Sequence, residues 1–134
     1  MLLLSELKGW GEDYVEVTVD HRQPSIFANA DGCIPAWLGI EYMAQAIAVF
    51  AGIRAKQNNQ PIRLGFLLGS RKYNALCSHF EANSQLLVKV TRIYMDDDNL
   101  VLFDCTISDG ENTLATADVK AIQPDNIDDI LKSI

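Results

Sequence analysis

Hydrophobic and polar residues alternate along most of the chain, and a period of two residues is typical of β-strands with one buried face. Six segments predict strands: 2–8, 14–19, 62–76, 86–94, 100–107 and 113–122. The alternation is clear at 14–19 and looser at 62–76. Turn signals at 96–99 and at Asp109-Gly110 separate the last three segments. Gly65 and Gly69 indicate a bend or bulge in the third segment.

One long segment, residues 35–55, has apolar residues on nearly every side and predicts a helix that begins near Pro35. We expect such a helix to be enclosed by other elements. Glu41 is the only charged residue between 32 and 53. A carboxylate at the centre of a bilayer costs about 2.5–3.5 kcal/mol, so a helix inside a protein explains the segment better than a membrane span does.

The remaining segments complete the predicted order of elements. Residues 21–31 contain Pro24 and several turn formers and predict a loop, and 126–134 predict a short tail helix with Asp125 as N-cap. Two strands, one long helix and four antiparallel strands suggest an α+β architecture in which a sheet wraps around one central helix, the hot-dog fold. We expect one domain over residues 1–134, and an exposed sheet edge that favours dimers.

Composition narrows the possible functions. The 134 residues carry a net charge of −7 with scattered basic residues, which argues against nucleic-acid binding. Cys33, Cys77 and Cys105 are odd in number and contain no Cys-x-x-Cys pair, so neither a disulfide framework nor a metal site is indicated. We expect reduced thiols in a cytoplasmic protein, no signal peptide and no cofactor.

The segment 35–46, PAWLGIEYMAQA, and the segment 65–73, GFLLGSRKY, carry a family resemblance. They resemble the central helix and central strand of the hot-dog 3-hydroxyacyl-acyl carrier protein dehydratases. Three shorter pieces make the chain most similar to the ApeP-type dehydratases of aryl polyene biosynthesis: His21-Arg22, Asp31-Gly32 and residues 39–42. The resemblance implies a 3-hydroxyacyl thioester of acyl carrier protein as substrate, in aryl polyene or fatty-acid-like biosynthesis. It also implies a homodimer, or a heterodimer with a related hot-dog dehydratase.

The chain departs from this family at the catalytic base. The family's histidine stands in a His-Phe-Pro motif fourteen residues before the acid of the helix, and that position is Phe27 here. His21 lies six residues earlier. We therefore advance the hypothesis that His21 replaces the missing base, since an imidazole is suited to accept a proton near neutral pH.

The resemblance also assigns the other roles. Dehydration needs a base for the α-proton, an acid for the leaving hydroxyl and dipoles for the thioester oxygen. Glu41 would be the acid, because an apolar helix favours its neutral, proton-donating form. The N–H groups of Ala36 and Trp37 would bind the oxygen, and Gln45, one turn after Glu41, would bind Glu41 or the thioester.

Each of these residues also has a structural interpretation. Phe27 and Trp37 line an acyl or aryl chain in the functional interpretation and are core residues in the other. Glu41 would pair with a basic residue such as Arg71, Gln45 would be a structural amide, and His21 would be a solvated loop residue. His79 is expected at the surface.

Three functions are consistent with this sequence. The first is a dehydratase that uses His21, or a histidine of a partner, together with Glu41. The second is a hot-dog subunit without chemistry of its own that completes or stabilises a catalytic partner, which the loss of the motif histidine favours. The third is an acyl thioesterase, in which the helix acid activates water.

Overall fold

Eight strands and one long helix make up the part of the chain that the computed structural model describes, residues 2–22, 25–59, 66–95 and 100–122. The strands are β1 Glu6–Trp10, β2 Tyr14–Asp20, β3 Ile34–Pro35, β4 Phe66–Ala75, β5 His79–Phe80, β6 Gln85–Met95, β7 Leu100–Ser108 and β8 Thr113–Ile122. The helix α1, Gly39–Gln57, follows directly on a 3-10 turn, Ala36–Leu38.

Six of the strands form one antiparallel sheet in the order β1-β2-β6-β7-β8-β4, and β3 pairs with β5 alone. The inner face of the sheet is a continuous apolar layer. One row across four neighbouring strands illustrates it: Val15, Val90, Cys105 and Ala117 are paired in register and buried. The alternation in the sequence therefore identified the face that the core covers.

The helix α1 packs on this inner face. Met43, Ala46 and Phe50 are buried, and the ring of Phe50 meets that of Phe103 edge-on at 5.6 Å. The opposite side of α1 is open, with Glu41 and Ala48 exposed. The prediction of a central helix against an antiparallel sheet is confirmed, but the prediction that this helix is enclosed on every side is wrong for the single chain. One sheet covers only one side of a helix.

The element boundaries show further differences. The first strand begins at Glu6 and not at residue 2. Ser5 still donates its N–H to the Thr18 carbonyl of β2, but the Leu3 N–H is bonded to Gln45 of α1 instead. The short β3–β5 pair was not predicted, since two-residue strands produce no periodic pattern. A register shift beside Gly69 confirms the predicted bulge there. Gly65, the turn at 96–99 and the tail helix at 126–134 lie outside the described residues.

The span Ala36–Gln57 is long and apolar enough to cross a bilayer, and among the described residues it alone meets that test. It is the core helix of the fold, and its apolar side chains pack on the sheet. Its composition is explained by this packing and by the open side described above.

Candidate functional site

The start of the helix is held in place from outside by hydrogen bonds. The Ala36 N–H donates to the Ser78 carbonyl at 3.0 Å, and the Tyr73 hydroxyl donates to the Ala36 carbonyl. Gly39 permits this approach, because a Cβ at position 39 would collide with the Tyr73 hydroxyl. The Ala36 N–H is thus already used, and binding a substrate oxygen there, as predicted, would require breaking the bond to Ser78.

Four of the predicted site residues lie at the helix start, and we call them the Glu41 face: Phe27, Trp37, Glu41 and Gln45. Trp37 and Glu41 are exposed, and Phe27 and Gln45 are partly buried, with Phe27 packed against the hydrophobic core. Trp37 is 63% exposed, and Phe27 packs against it edge-on with ring centroids 6.3 Å apart. Glu41 is exposed one turn further along. Phe27, in the position of the family's histidine, therefore lies beside the helix turn that leads to the acid.

Gln45 joins the Glu41 face to the start of the chain. Its Nε2 donates to Glu41 Oε1 at 3.2 Å, and its Oε1 accepts the Leu3 N–H at 2.8 Å. The Gln45 side chain therefore joins Leu3 and Glu41 through its two amide atoms, and its binding to a thioester stays a prediction.

His21 lies at the end of β2 on the other side of the helix and is 9% exposed. Its Nε2 is hydrogen-bonded to the Tyr42 hydroxyl at 2.9 Å, and the backbone N–H of His21 donates to the Ser84 carbonyl at 2.8 Å. Its ring centroid is 6.0 Å from that of Phe80. The interpretation of His21 as a solvated loop residue is wrong, because the ring is buried among aromatic side chains.

Burial also sets the protonation of this pair. Desolvation lowers the pKa of His21, and a hydrogen bond with the Glu81 backbone opposes this to a lesser degree. Desolvation raises the pKa of Tyr42 to about 12, with a smaller contribution from Tyr73. Near neutral pH the pair is therefore a neutral imidazole bonded to a neutral phenol.

An open cleft of about 340 Å³ lies over His21 and Tyr42, and we call it the His21 cleft. Residues from the chain start, from the end of β2, from the following loop and from α1 line it: Leu2, Leu3, Leu4, Ser5, Val19, Asp20, His21, Ser25, Ile26 and Tyr42. The cleft and the Glu41 face thus have no lining residue in common, although the Leu3–Gln45 hydrogen bond connects their walls.

The structure does not bring His21 and Glu41 together. Neighbouring residues of an α-helix point about 100° apart, so Glu41 faces the open side while Tyr42 faces inward to His21. Within the described part of the chain, no contact joins His21 to Glu41. The side chain of Arg71, the suggested ion-pair partner of Glu41, lies outside the described residues. His79 is exposed, as predicted.

Two residues of this region were missed from the sequence, Tyr42 and Tyr73. A tyrosine in an otherwise apolar helix needs a hydrogen-bond partner for its hydroxyl, and this was the available signal for Tyr42. Tyr73 lies in a loosely alternating strand, where nothing local indicates a bond to Ala36.

Comparison with solved structures places this geometry among known proteins. The dehydratase heterocomplex ApeI:P from Xenorhabdus doucetiae is similar, with 30% identity, a TM-score of 0.85, and coverage of 97% of this chain and 88% of that chain. A hypothetical thioesterase with coenzyme A from Streptococcus pneumoniae has 15% identity and a TM-score of 0.69, covering 89% of this chain and 90% of that one.

A Streptococcus mutans protein bound to acetyl-CoA is similar to the same extent, with 14% identity, a TM-score of 0.69, and coverage of 88% and 86%. At such identities the two streptococcal structures show the shared hot-dog fold alone. A search of curated proteins by sequence gives no match. The family model described as ApeP-like, ApeP dehydratase, matches residues 1–132. The chain therefore belongs to the ApeP-like dehydratase family.

Proposed function

We propose that this chain dehydrates 3-hydroxyacyl thioesters of acyl carrier protein, in aryl polyene or fatty-acid-like biosynthesis, at a site shared with a second hot-dog subunit. In that site Glu41 is the proton donor and the base belongs to the partner. The observation that carries the proposal is the composition of the Glu41 face. An exposed acid follows Trp37 by one turn, and Phe27, which cannot accept a proton, lies where the family has its base.

The chemistry assigns one proton transfer to each subunit. The partner's base removes the α-proton, the carbon–carbon double bond forms, and the bond from the β-carbon to its hydroxyl breaks. The hydroxyl leaves as water with the proton of the Glu41 carboxyl group. Gln45, which donates to Glu41 Oε1, orients the carboxyl group toward the leaving hydroxyl.

The exposure of the Glu41 face supports a second subunit. Trp37 is large, aromatic and mostly open to water, and such side chains are enriched in the buried centres of protein interfaces. A partner that covers it would also remove water from around Glu41, which favours the neutral acid. The similar ApeI:P structure is a heterocomplex of dehydratases, and this favours two different chains over two copies of this one.

A second candidate keeps the base within this chain. His21 is buried, neutral and part of the wall of a cleft, as a general base would be. Its Nε2, however, is engaged by Tyr42, and Glu41 points about 100° away from Tyr42 around α1 and does not line the cleft. A site using His21 would therefore need a different acid, so we place the base in the partner. Only the shared hot-dog fold supports the thioesterase function.

Partner dependence tests the proposal. This chain would be purified alone, and again together with a hot-dog dehydratase that carries the His-Phe-Pro motif. Loss of water from 3-hydroxyhexanoyl-acyl carrier protein would be followed by intact mass spectrometry. We expect turnover by the pair and at least about a hundredfold less by this chain alone, the lower bound for loss of one proton-transfer group. Equal turnover by the chain alone would overturn the shared site.

A further inference from the structure

The His21 cleft has no role in the chemistry proposed for the Glu41 face. It is nevertheless built as a site, with an apolar wall and a polar floor. Its volume of about 340 Å³ is at the lower end of the range of about 300–1,000 Å³ for small-molecule sites. Two large apolar side chains at its rim, Leu2 and Ile26, are 76% and 78% exposed. Exposed apolar side chains around a concave surface are typical of a ligand site.

The polar floor defines the group that binds there. The hydrogen bond with the Glu81 backbone raises the pKa of His21, so the ring is the donor in it. Because Nε2 lies at the Tyr42 hydroxyl, the proton of the neutral ring is on Nδ1, and Nε2 accepts from Tyr42. The phenol oxygen then still accepts a hydrogen bond, which a ligand hydroxyl can donate and an ether oxygen cannot.

The rim excludes charged ligands. Asp20 lines the cleft and is held by Arg22, whose Nε and Nη2 lie 2.8 and 2.9 Å from the two carboxylate oxygens. An anion would meet the carboxylate of Asp20, and a cation would have to compete with Arg22. Leu3, Leu4 and Val19 offer apolar contacts to a neutral molecule. Ser5 and Ser25 also line the cleft, and their Oγ atoms already accept from backbone N–H groups.

We propose that the His21 cleft is a second ligand site, separate from the Glu41 face, which binds a short, uncharged, mainly apolar molecule that ends in a hydroxyl group. The hydroxyl binds to the Tyr42 oxygen beside His21, and the apolar part lies along residues 2–4 and Ile26.

The test is a titration of the ¹⁵N-labelled full chain with 1-hexanol, hexyl methyl ether and hexanoate, followed by NMR. We expect saturable shifts with 1-hexanol at the amides of Leu3, His21 and Tyr42. The methyl ether, which has lost the donor, and hexanoate, which carries a charge, should each bind at least about fivefold more weakly, the effect of one hydrogen bond. Equal affinity for 1-hexanol and its methyl ether would overturn the proposal.

Two variants and one control localise the binding. Tyr42→Phe should weaken 1-hexanol about five- to tenfold, since it removes the hydroxyl but keeps the ring. Ile26→Ser changes an exposed rim residue, leaves the fold intact and should weaken binding by about threefold or more. Trp37→Ala, which changes the Glu41 face but leaves the Leu3–Gln45 hydrogen bond in place, should leave the affinity unchanged.

The outcomes separate this proposal from the proposed function. Unchanged binding in both cleft variants would disprove the cleft site and leave dehydration at the Glu41 face standing. Weaker binding in Trp37→Ala would show that the alcohol binds at the Glu41 face, which would also overturn the cleft site. Loss of partner-dependent turnover with intact alcohol binding would overturn only the proposed function.

Discussion

The two sides of α1 differ in the exposure and hydrogen bonding of their polar groups. On the Glu41 face, a carboxyl group is exposed beside a large aromatic residue, with Gln45 as a hydrogen-bond donor. In the His21 cleft, the imidazole is buried and bonded to Tyr42 within the same chain. In our two proposals the cleft is complete in one chain, whereas the Glu41 face gains its chemistry only when another subunit covers it. A helix with apolar residues on every side can therefore indicate a second subunit.

Replacement of the acid should have the largest effect on this contrast. Glu41→Gln should lower turnover of the two-subunit dehydratase by about 10²–10⁴-fold, because the amide has no proton to give to the leaving hydroxyl. Glu12→Gln, an exposed residue of the turn before β2, makes the same charge change and should not affect turnover. Kinetics with 3-hydroxyhexanoyl-acyl carrier protein measure both. Equal rates for the two variants would show that Glu41 has no part in the chemistry.

The second-largest effect should be on stability: removal of a buried aromatic side chain should destabilise the fold far more than removal of an exposed one. Phe80 is fully buried against His21 and Tyr42, and Phe80→Ala should lower the free energy of unfolding by about 3–5 kcal/mol. Trp37→Ala should lower it by about 1 kcal/mol or less, since Trp37 is mainly exposed and loses chiefly its contact with Phe27. Urea unfolding of the single chain measures both. A large loss for Trp37→Ala would mean that the Glu41 face is not open.

The hydrogen bond that holds the helix start should contribute less to the free energy of unfolding than the Phe80 side chain does. Tyr73→Phe removes the hydrogen bond to the Ala36 carbonyl, and we expect the free energy of unfolding to fall by about 0.5–1.5 kcal/mol. Tyr94→Phe, at an exposed position of β6, should change it by less than about 0.5 kcal/mol. If both variants unfold at the same urea concentration, the bond to Ala36 does not hold the helix start.

The buried His21 imidazole should make the free energy of unfolding depend on pH, and this effect should be smaller still. Because the pKa of His21 is lowered in the folded chain, the unfolded chain takes up a proton more readily below about pH 6.5. The free energy of unfolding should therefore fall between pH 7.5 and pH 5.5, with no contribution from His21 at higher pH. His21→Gln should reduce this fall, and His79→Gln, at the surface, should keep it. The same pH dependence in His21→Gln would contradict a buried, neutral imidazole.

Most of the fold could be predicted because its strands are rich in β-branched residues that alternate with polar ones, as in β2, whereas its helix is apolar on nearly every side. Val15, Val17 and Val19 identify the inner face of β2, and Gly69 marks a bulge that the register shift confirms. The open side of α1 could not be predicted, because the pattern does not say whether a sheet or another chain covers a given side. The resemblance predicted Trp37, Glu41 and Gln45 as site residues, and the structure places them on one surface. Their roles in binding and catalysis remain predictions. The resemblance also led to the pairing of His21 with Glu41; in the single chain the structure instead pairs His21 with Tyr42 and Glu41 with Gln45, and a joint role of His21 and Glu41 stays a prediction.

The central claim is tested most directly by finding which subunit supplies the base. The measurement is turnover by this chain, unaltered, together with a hot-dog partner whose motif histidine has been replaced by alanine. If the partner supplies the base, dehydration of 3-hydroxyhexanoyl-acyl carrier protein should fall by about 10²–10⁴-fold although this chain keeps His21 and Glu41. Full turnover by that pair, abolished by His21→Gln in this chain, would place the base in this chain and contradict the account.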